Sequence, residues 1–302
     1  MRSLRRHVPV AIALLSASLS SSCALSGLFV RNRAIRVHGK PALPTQKLRD
    51  ATRDELNERI GRLYNAITSF QATVDMTPSV GSVYKGQITE IKDVRAFVLF
   101  RKASDIRIIG QAPVIRTRLF DMVSNGADFR FYYSQNNIFV EGANDAPPTS
   151  KNAVENLRPD AFLSSMLIRP ADAATETIVL EDATDEDDSN YILHFIRKDA
   201  NGGLLLARNV WFSRVDLGIV RQKVLDDLGY IVSDTRYSKW QAYNSASFPT
   251  HIDINRPKDG YGVAMDMVEM QMNKELTDDK FVLTQPEGSK LQVIGTPAST
   301  RR

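Results

Sequence analysis

Ala96-Phe97-Val98-Leu99-Phe100 sets five apolar residues in a row, aromatic and β-branched types among them, and gives way at once to Arg101-Lys102-Ala103-Ser104-Asp105. A run this short, bounded by polar residues, reads as a strand covered on both faces. The same character returns at Phe129-Arg130-Phe131-Tyr132-Tyr133 and Tyr191-Ile192-Leu193-His194-Phe195-Ile196. A sheet with one solvated face would alternate more cleanly, so another layer has to cover the second face. Turn chemistry separates the runs at Asn125-Gly126, Gln135-Asn136-Asn137, Asn201-Gly202, Leu228-Gly229 and Pro257-Lys258-Asp259-Gly260. From Phe70 onward the pattern predicts roughly ten to twelve strands and no internal repeat.

Two helices are available as the covering layer. Thr52-Arg53-Asp54-Glu55 is a capping box, in which Thr52 accepts from the backbone and Glu55 reaches back, and Leu56, Ile60, Leu63 and Ile67 follow as one apolar stripe. The second starts at Pro159, suited to a first helical turn, with Asp160 at its positive end. Phe162, Leu163, Met166 and Leu167 form its apolar face, Pro170 stops it, and Pro147-Pro148 marks the loop leading in. So few helical residues leave part of a large curved sheet unfilled, and a cavity is the expectation.

The chain has 302 residues, 43% of them hydrophobic, with a mean hydropathy of -0.25. These values exclude a disordered polymer and a polytopic membrane protein. A β sheet of roughly 200–250 residues is commonly one domain, so the length does not require two. The pI of about 9.1 comes from the first forty residues. Without Arg2, Arg5, Arg6, Arg31, Arg33, Arg36 and Lys40, 32 basic residues face 35 acidic ones. No nucleic acid is expected as a partner.

Residues 1–22 read as a secretory signal: basic Arg2, Arg5 and Arg6, an apolar run from Val8 to Leu15, then small residues. The run is far short of the roughly 20 residues that cross a bilayer. Cys23, the only cysteine, follows directly. Leu19-Ser20-Ser21-Ser22-Cys23 resembles a bacterial lipobox, although the usual leucine three places before the cysteine stands one place further back here. The resemblance implies lipidation of Cys23, and Ala24 after it implies release to the outer membrane. The simpler alternative is an ordinary signal-peptidase site. Residues 23–50 then read as a tether, 51–296 as the folded domain and 297–302 as a tail.

Phe97-Val98-Leu99-Phe100-Arg101-Lys102-Ala103-Ser104-Asp105-Ile106-Arg107-Ile108, with Leu119-Phe120-Asp121 to Phe129 and Ile138-Phe139-Val140-Glu141-Gly142, is similar to the LolA/LolB superfamily of envelope lipoproteins. Phe248-Pro249-Thr250-His251-Ile252-Asp253-Ile254, followed by Val263 to Met267, Asn273-Lys274-Glu275-Leu276 and Phe281, resembles the closing strands of that family. The resemblance covers about residues 53–294. It implies a mainly β (α+β) fold, a single curved antiparallel half-barrel with helices over its concave face. It also implies an apolar site for acyl chains of lipoproteins or lipids, and a periplasmic carrier protein as a partner.

The expected lining is Phe97, Leu99, Phe129, Phe131, Met265 and Met267. Because strand neighbours alternate, only one of the pairs Met265/Met267 and Met270/Met272 should face the cavity. Ordinary core packing explains any one of these residues equally well. The family's exposed membrane-contacting loop corresponds to residues 111–116, with Val114 and Ile115 protruding. A turn whose Val114 and Ile115 begin the next strand is the simpler alternative.

No catalytic constellation stands out. His38, His194 and His251 are scattered, no zinc or nucleophile-elbow spacing occurs, and Gly260-Tyr261-Gly262 lacks the rest of a dinucleotide fingerprint. Glu181 to Asp188 holds a carboxylate run that invites calcium but lacks the EF-hand glycine and closing glutamate, so a solvated loop is expected. Trp211 and Trp240 are expected in the core. The expectation is a non-enzymatic, cofactor-free lipoprotein of the outer membrane facing the periplasm. The rival reading is a scaffold or sensor that binds protein partners through the same fold.

Overall fold

The capping box acts as its residues predict: the amide of Glu55 donates to Thr52 Oγ1 at 3.3 Å and the amide of Thr52 donates to Glu55 Oε2 at 2.7 Å. Helix α1 (Arg53–Asn65) follows and buries Leu56 and Ile60. The computed structural model describes residues 31–32, 47–82, 84, 86–146, 157–185, 187–243 and 246–295. The expected signal sequence, Cys23 and most of the tether lie outside them.

Strands β1 (Arg31–Asn32), β2 (Ser69–Ser82), β3 (Gln87–Glu90), β4 (Val94–Arg101), β5 (Asp105–Gln111), β6 (Arg118–Ser124), β7 (Asp128–Tyr133) and β8 (Ile138–Ala143) precede α2 (Pro159–Met166). Strands β9 (Glu176–Thr184), β10 (Ser189–Lys198), β11 (Leu204–Ser213), β12 (Ile219–Leu225), β13 (Ile231–Tyr243), β14 (Ala246–Arg256), β15 (Tyr261–Met272) and β16 (Lys290–Ile294) follow it. All sixteen belong to one open, curved sheet in the order β16-β8-β7-β6-β5-β4-β2-β15-β14-β13-β12-β11-β10-β9, with β3 and then β1 added beside the end of β2. The count exceeds the ten to twelve expected, partly because β1, β3 and β16 are short segments without apolar alternation. Pairing is antiparallel throughout except that β16 runs parallel to β8.

The hairpins follow one another except at the centre, where β2 pairs with β15 from Tyr261↔Val80 to Met272↔Phe70. The first and last long strands thereby join the two wings of the sheet. Its concave face carries the core, with Phe70, Phe100, Phe129, Phe131, Phe195, Phe212 and Phe248 all but inaccessible. Both helices lie in this concavity, as expected, and Pro159 opens α2.

Part of the convex face has a cover the sequence did not suggest. Residues 274–283, including a 3-10 turn at Asp278–Phe281, cross the outside as a strap before β16 joins the edge. Arg101, Arg107 and Arg130 donate to the carbonyls of Leu276, Lys280 and Leu283 at 3.0, 3.0 and 3.4 Å. Phe281 and Leu283 pack on Val123, Tyr132 and Phe139, a small second core on the outer side.

Trp211 is a correction. It faces outward between the inner Val210 and Phe212, with Arg221 and Lys223 5.2 and 5.4 Å from its ring. Trp240 packs against the core as expected and donates through Nε1 to the Ile219 carbonyl at 3.0 Å. The carboxylate run is not simply a loop, because β9 continues through Thr184. Glu181 meets His194 Nε2 at 2.7 Å, Asp182 meets Arg214 at 2.9 Å, and Asp185 accepts from the amides of Asp187 and Asp188.

Candidate functional site

Cross-strand register arranges the inner wall in rows. One row runs Phe129, Ser124, Ile106, Phe100, Phe70, Met272, and the next runs Phe131, Met122, Ile108, Val98, Ala72, Met270. Phe129, Phe131 and Met265 lie on this wall and are buried, and Met267 is half-buried on it.

Phe97 and Leu99 do not line it. They share strand parity with Arg95 and Arg101 and point to the convex face, where Phe97 is 39% exposed, while Ala96, Val98 and Phe100 turn inward. The two arginines at matching positions were the signal for this, since a charged residue at each end marks the solvated side of a strand.

The methionines give a second correction. Met265 pairs with Met76, Met267 with Val74, Met270 with Ala72 and Met272 with Phe70, so all four face inward. A β-bulge between Met267 and Glu269 inserts Val268 and resets the alternation, which a strict period of two cannot anticipate.

The wall is covered by α2 through Phe162, Leu163 and Met166, continued by Leu167 and Ile168, all buried. Its backbone is tied to the wall at two points: the Tyr237 hydroxyl donates to the Ser165 carbonyl at 2.7 Å, and Gln222 Nε2 donates to the Ser164 carbonyl at 3.3 Å. Burial drives the Tyr237 hydroxyl pKa well above that of a free tyrosine. Asp160, in the first turn, has its carboxyl pushed up by burial, against the opposing pull of Arg169 and Arg256. Arg158, just before the helix, is buried with its guanidinium 4.4 Å from the Phe129 ring centre, and desolvation lowers its pKa.

With α2 in place, the spaces seen beneath it among the described residues are small, and a larger pocket of about 330 Å³ lies elsewhere, among Asp105, Asn125, Asp128, Arg130, Glu141 and Phe281. An apolar crevice of about 60 Å³ remains between Met76, Val80, Ile91, Phe120, Phe162 and Tyr261. A second space of about 30 Å³ lies between α1, α2 and the wall near Ile60, Met166 and Trp240. A dry cavity that holds benzene measures roughly 150 Å³, so neither admits an acyl chain in this closed form. Aromatic side chains, larger than the aliphatic ones a two-sided strand requires, fill the concavity.

Val114 and Ile115 sit at the apex of the β5–β6 turn, which the Ala112 amide closes by donating to the Thr117 carbonyl at 2.9 Å. They are exposed, and β6 begins only at Arg118, so they do not start the next strand. Among the described residues no group of three or more His, Cys, Asp or Glu side chains is placed to hold a metal ion, and no helix is long and apolar enough to cross a membrane. Ser238, His251 and Asp266 stand side by side on three strands, with His251 Nδ1 2.9 Å from Asp266. They lie on the convex face, away from the wall.

The chain is similar to a LolA superfamily protein from Nitrosomonas europaea, with a TM-score of 0.50 over 78% of this chain and 99% of that one, at 14% identity. The likeness is one of fold. A DUF1329 family protein from Desulfovibrio piger matches this chain at 15% identity and a TM-score of 0.48, over 75% of this chain and 94% of that one. A domain described as that of an outer membrane lipoprotein-sorting protein from Vibrio parahaemolyticus gives 12% identity and 0.46, over 75% and 94%. No protein-family model matches the sequence, and no curated protein matches it.

Proposed function

We propose that this chain is a lipid-anchored envelope protein that binds acyl chains of lipoproteins or other amphiphiles on its concave wall, with α2 as a cover that the ligand displaces. The observation that carries the reading is the four-methionine row Met265, Met267, Met270 and Met272 beside Phe70, Phe100, Phe129 and Phe131, a wide apolar wall closed by a helix of only eight residues. Thioether side chains repack readily around ligands of varied shape. An acyl chain offers no hydrogen bonds, so a water-excluding apolar wall is the surface it requires.

The energetics of displacement are balanced. Withdrawing Phe162, Leu163 and Met166 costs about 1.5–3 kcal/mol for each side chain, and each methylene laid against the wall returns about 0.8 kcal/mol. About six to eleven buried methylenes then match the helix, fewer than a sixteen-carbon chain carries. Shorter amphiphiles leave α2 closed.

The lipobox-like stretch ending in Cys23 supports lipidation and residence on a membrane, and the likeness of fold to a LolA superfamily protein supports an envelope location with a carrier protein as donor. On this reading the protein is a binder and receptor, not an enzyme. The test is titration of the detergent-free protein with a sixteen-carbon fluorescent acyl probe while a nitroxide at Ser164→Cys, in a Cys23→Ser background, reports the position of α2. Saturable uptake with a mobilised label is expected. Absence of uptake, or uptake with the α2 label unchanged, sinks the proposal.

A further inference from the structure

The two ends of the half-barrel differ in kind. The six most exposed large apolar side chains among the described residues, from Val114 at 91% to Tyr230 at 57%, are Val114, Leu228, Ile115, Leu204, Tyr84 and Tyr230. Register places every one at the same end of the sheet, beside the β2–β3, β5–β6, β10–β11 and β12–β13 turns. The turns at the other end, residues 102–104, 125–127, 214–218 and 273–275, carry no large apolar side chain among those most exposed. Scattered single apolar residues are ordinary on a surface, but their confinement to one rim is not.

The rim has two separate apolar contacts. Val114, Ile115 and Tyr84 lie on the wing built from β2 to β8, and Leu204, Leu228 and Tyr230 lie on the wing built from β9 to β14. The crevice under α2, with Val80, Ile91 and Tyr261 in its lining, lies between them, where β2 meets β15. The N-terminal segment reaches the molecule at this same rim, since Arg31 and Asn32 pair with Glu90 and Thr89 of β3. Arg31 lies eight residues after Cys23, a span of at most roughly 29 Å when fully extended. Two ion pairs lie beside the second contact: Asp226 accepts from Lys258 at 2.7 Å and Asp227 pairs with Arg197.

From this geometry we infer that the rim is a two-footed docking surface for a phospholipid bilayer, held there by apolar insertion of both hairpin groups, so that the crevice opens onto the lipid. This goes beyond acyl-chain binding, because it fixes how the whole molecule stands on its membrane. The second foot, Leu204, Leu228 and Tyr230, is the new element. Paired charges around it make insertion, not electrostatic attraction, the holding force.

The test uses the full mature chain with Cys23→Ser, so that no anchor contributes, and vesicles of phosphatidylethanolamine and phosphatidylglycerol. An environment-sensitive label is placed singly at Leu228→Cys, at Ile115→Cys and, at the opposite end, at Ala103→Cys. The first two labels are expected to enter an apolar medium together, and the third to stay in water. Leu228→Ser with Tyr230→Ser should weaken vesicle binding at least tenfold with an unchanged melting temperature and unchanged acyl-probe uptake in vesicle-free solution. A label at 228 that stays in water while 115 inserts overturns the second foot. Binding lost in high salt overturns insertion as the holding force, and binding seen only with a co-purified protein overturns the bilayer as the partner. Vesicle binding without acyl-probe uptake would leave this inference standing and remove the proposed function.

Discussion

Phe120 occupies the space that Gly110 leaves empty: a Cβ on Gly110 would stand 2.2 Å from Phe120 Cε1 and 2.5 Å from Cζ. The two residues face each other across β5 and β6, and Phe120 lines the crevice under α2. Gly110→Ala should therefore push the ring into that crevice, lowering stability by about 1–3 kcal/mol as overpacked sites do. Chemical denaturation measures the loss, and acyl-probe uptake should weaken in parallel.

Val268 is the extra residue of the bulge in the methionine row. Its deletion removes the bulge and leaves Met267, Glu269, Met270, Gln271 and Met272 in plain alternation opposite Val74, Thr73, Ala72, Gln71 and Phe70, so all four methionines still face inward. Chemical denaturation should therefore show little change in unfolding free energy, and replacement by Ala, which keeps the bulge, should change it little as well. A loss of about 3 kcal/mol or more, the burial of a whole methionine side chain, would show that the row does not hold this register.

Asp160 makes the cover sensitive to pH. Its carboxyl pKa is raised in the docked helix by burial and returns to its ordinary value when α2 lifts. The docked form thus binds the proton more tightly, and docking weakens as pH rises from the ordinary aspartate value through the raised one. Amide exchange in residues 161–166 should quicken across that window, and Asp160→Asn should abolish the dependence and hold α2 closed. A slope of opposite sign would refute this.

Asp121 is fully buried under the strap and takes two hydrogen bonds from Arg107, at 3.0 and 2.8 Å. Replacing it with Ala leaves the Arg107 guanidinium, itself largely covered, without its carboxylate. A loss of about 3 kcal/mol is expected, as for a broken buried pair. Faster exchange in residues 278–283 would locate the damage at the strap.

For the anchor, Cys23→Ala should abolish palmitate labelling and leave only the reversible hold of the rim, so that repeated washing recovers the protein from membranes. Labelling that persists would place attachment elsewhere.

Much of the architecture was legible because local chemistry specified it. Thr52 with Glu55, Pro159 with Pro170, and the glycine turns at Gly126, Gly202, Gly229 and Gly260 each form what their residue types favour. The wall was half legible. Phe129 and Phe131 are inside, but Phe97 and Leu99 are outside, because their run is apolar on both faces and only Arg95 and Arg101 reveal its parity. The inward turn of all four methionines depends on a bulge, and the strap depends on contacts more than 150 residues apart, such as Arg130 with Leu283. Local pattern carries no trace of either. The filled concavity escaped as well, since composition gives the number of aromatic rings but not where they meet.

The β2–β15 seam also has a temporal meaning. Its partners lie about 190 positions apart in the sequence, so the central ladder cannot zip until the polypeptide has been made almost to its end. Closing so long a loop is entropically costly and slow. Each wing's hairpins can form as they emerge, but the molecule stays open along its middle until the last long strand has been made.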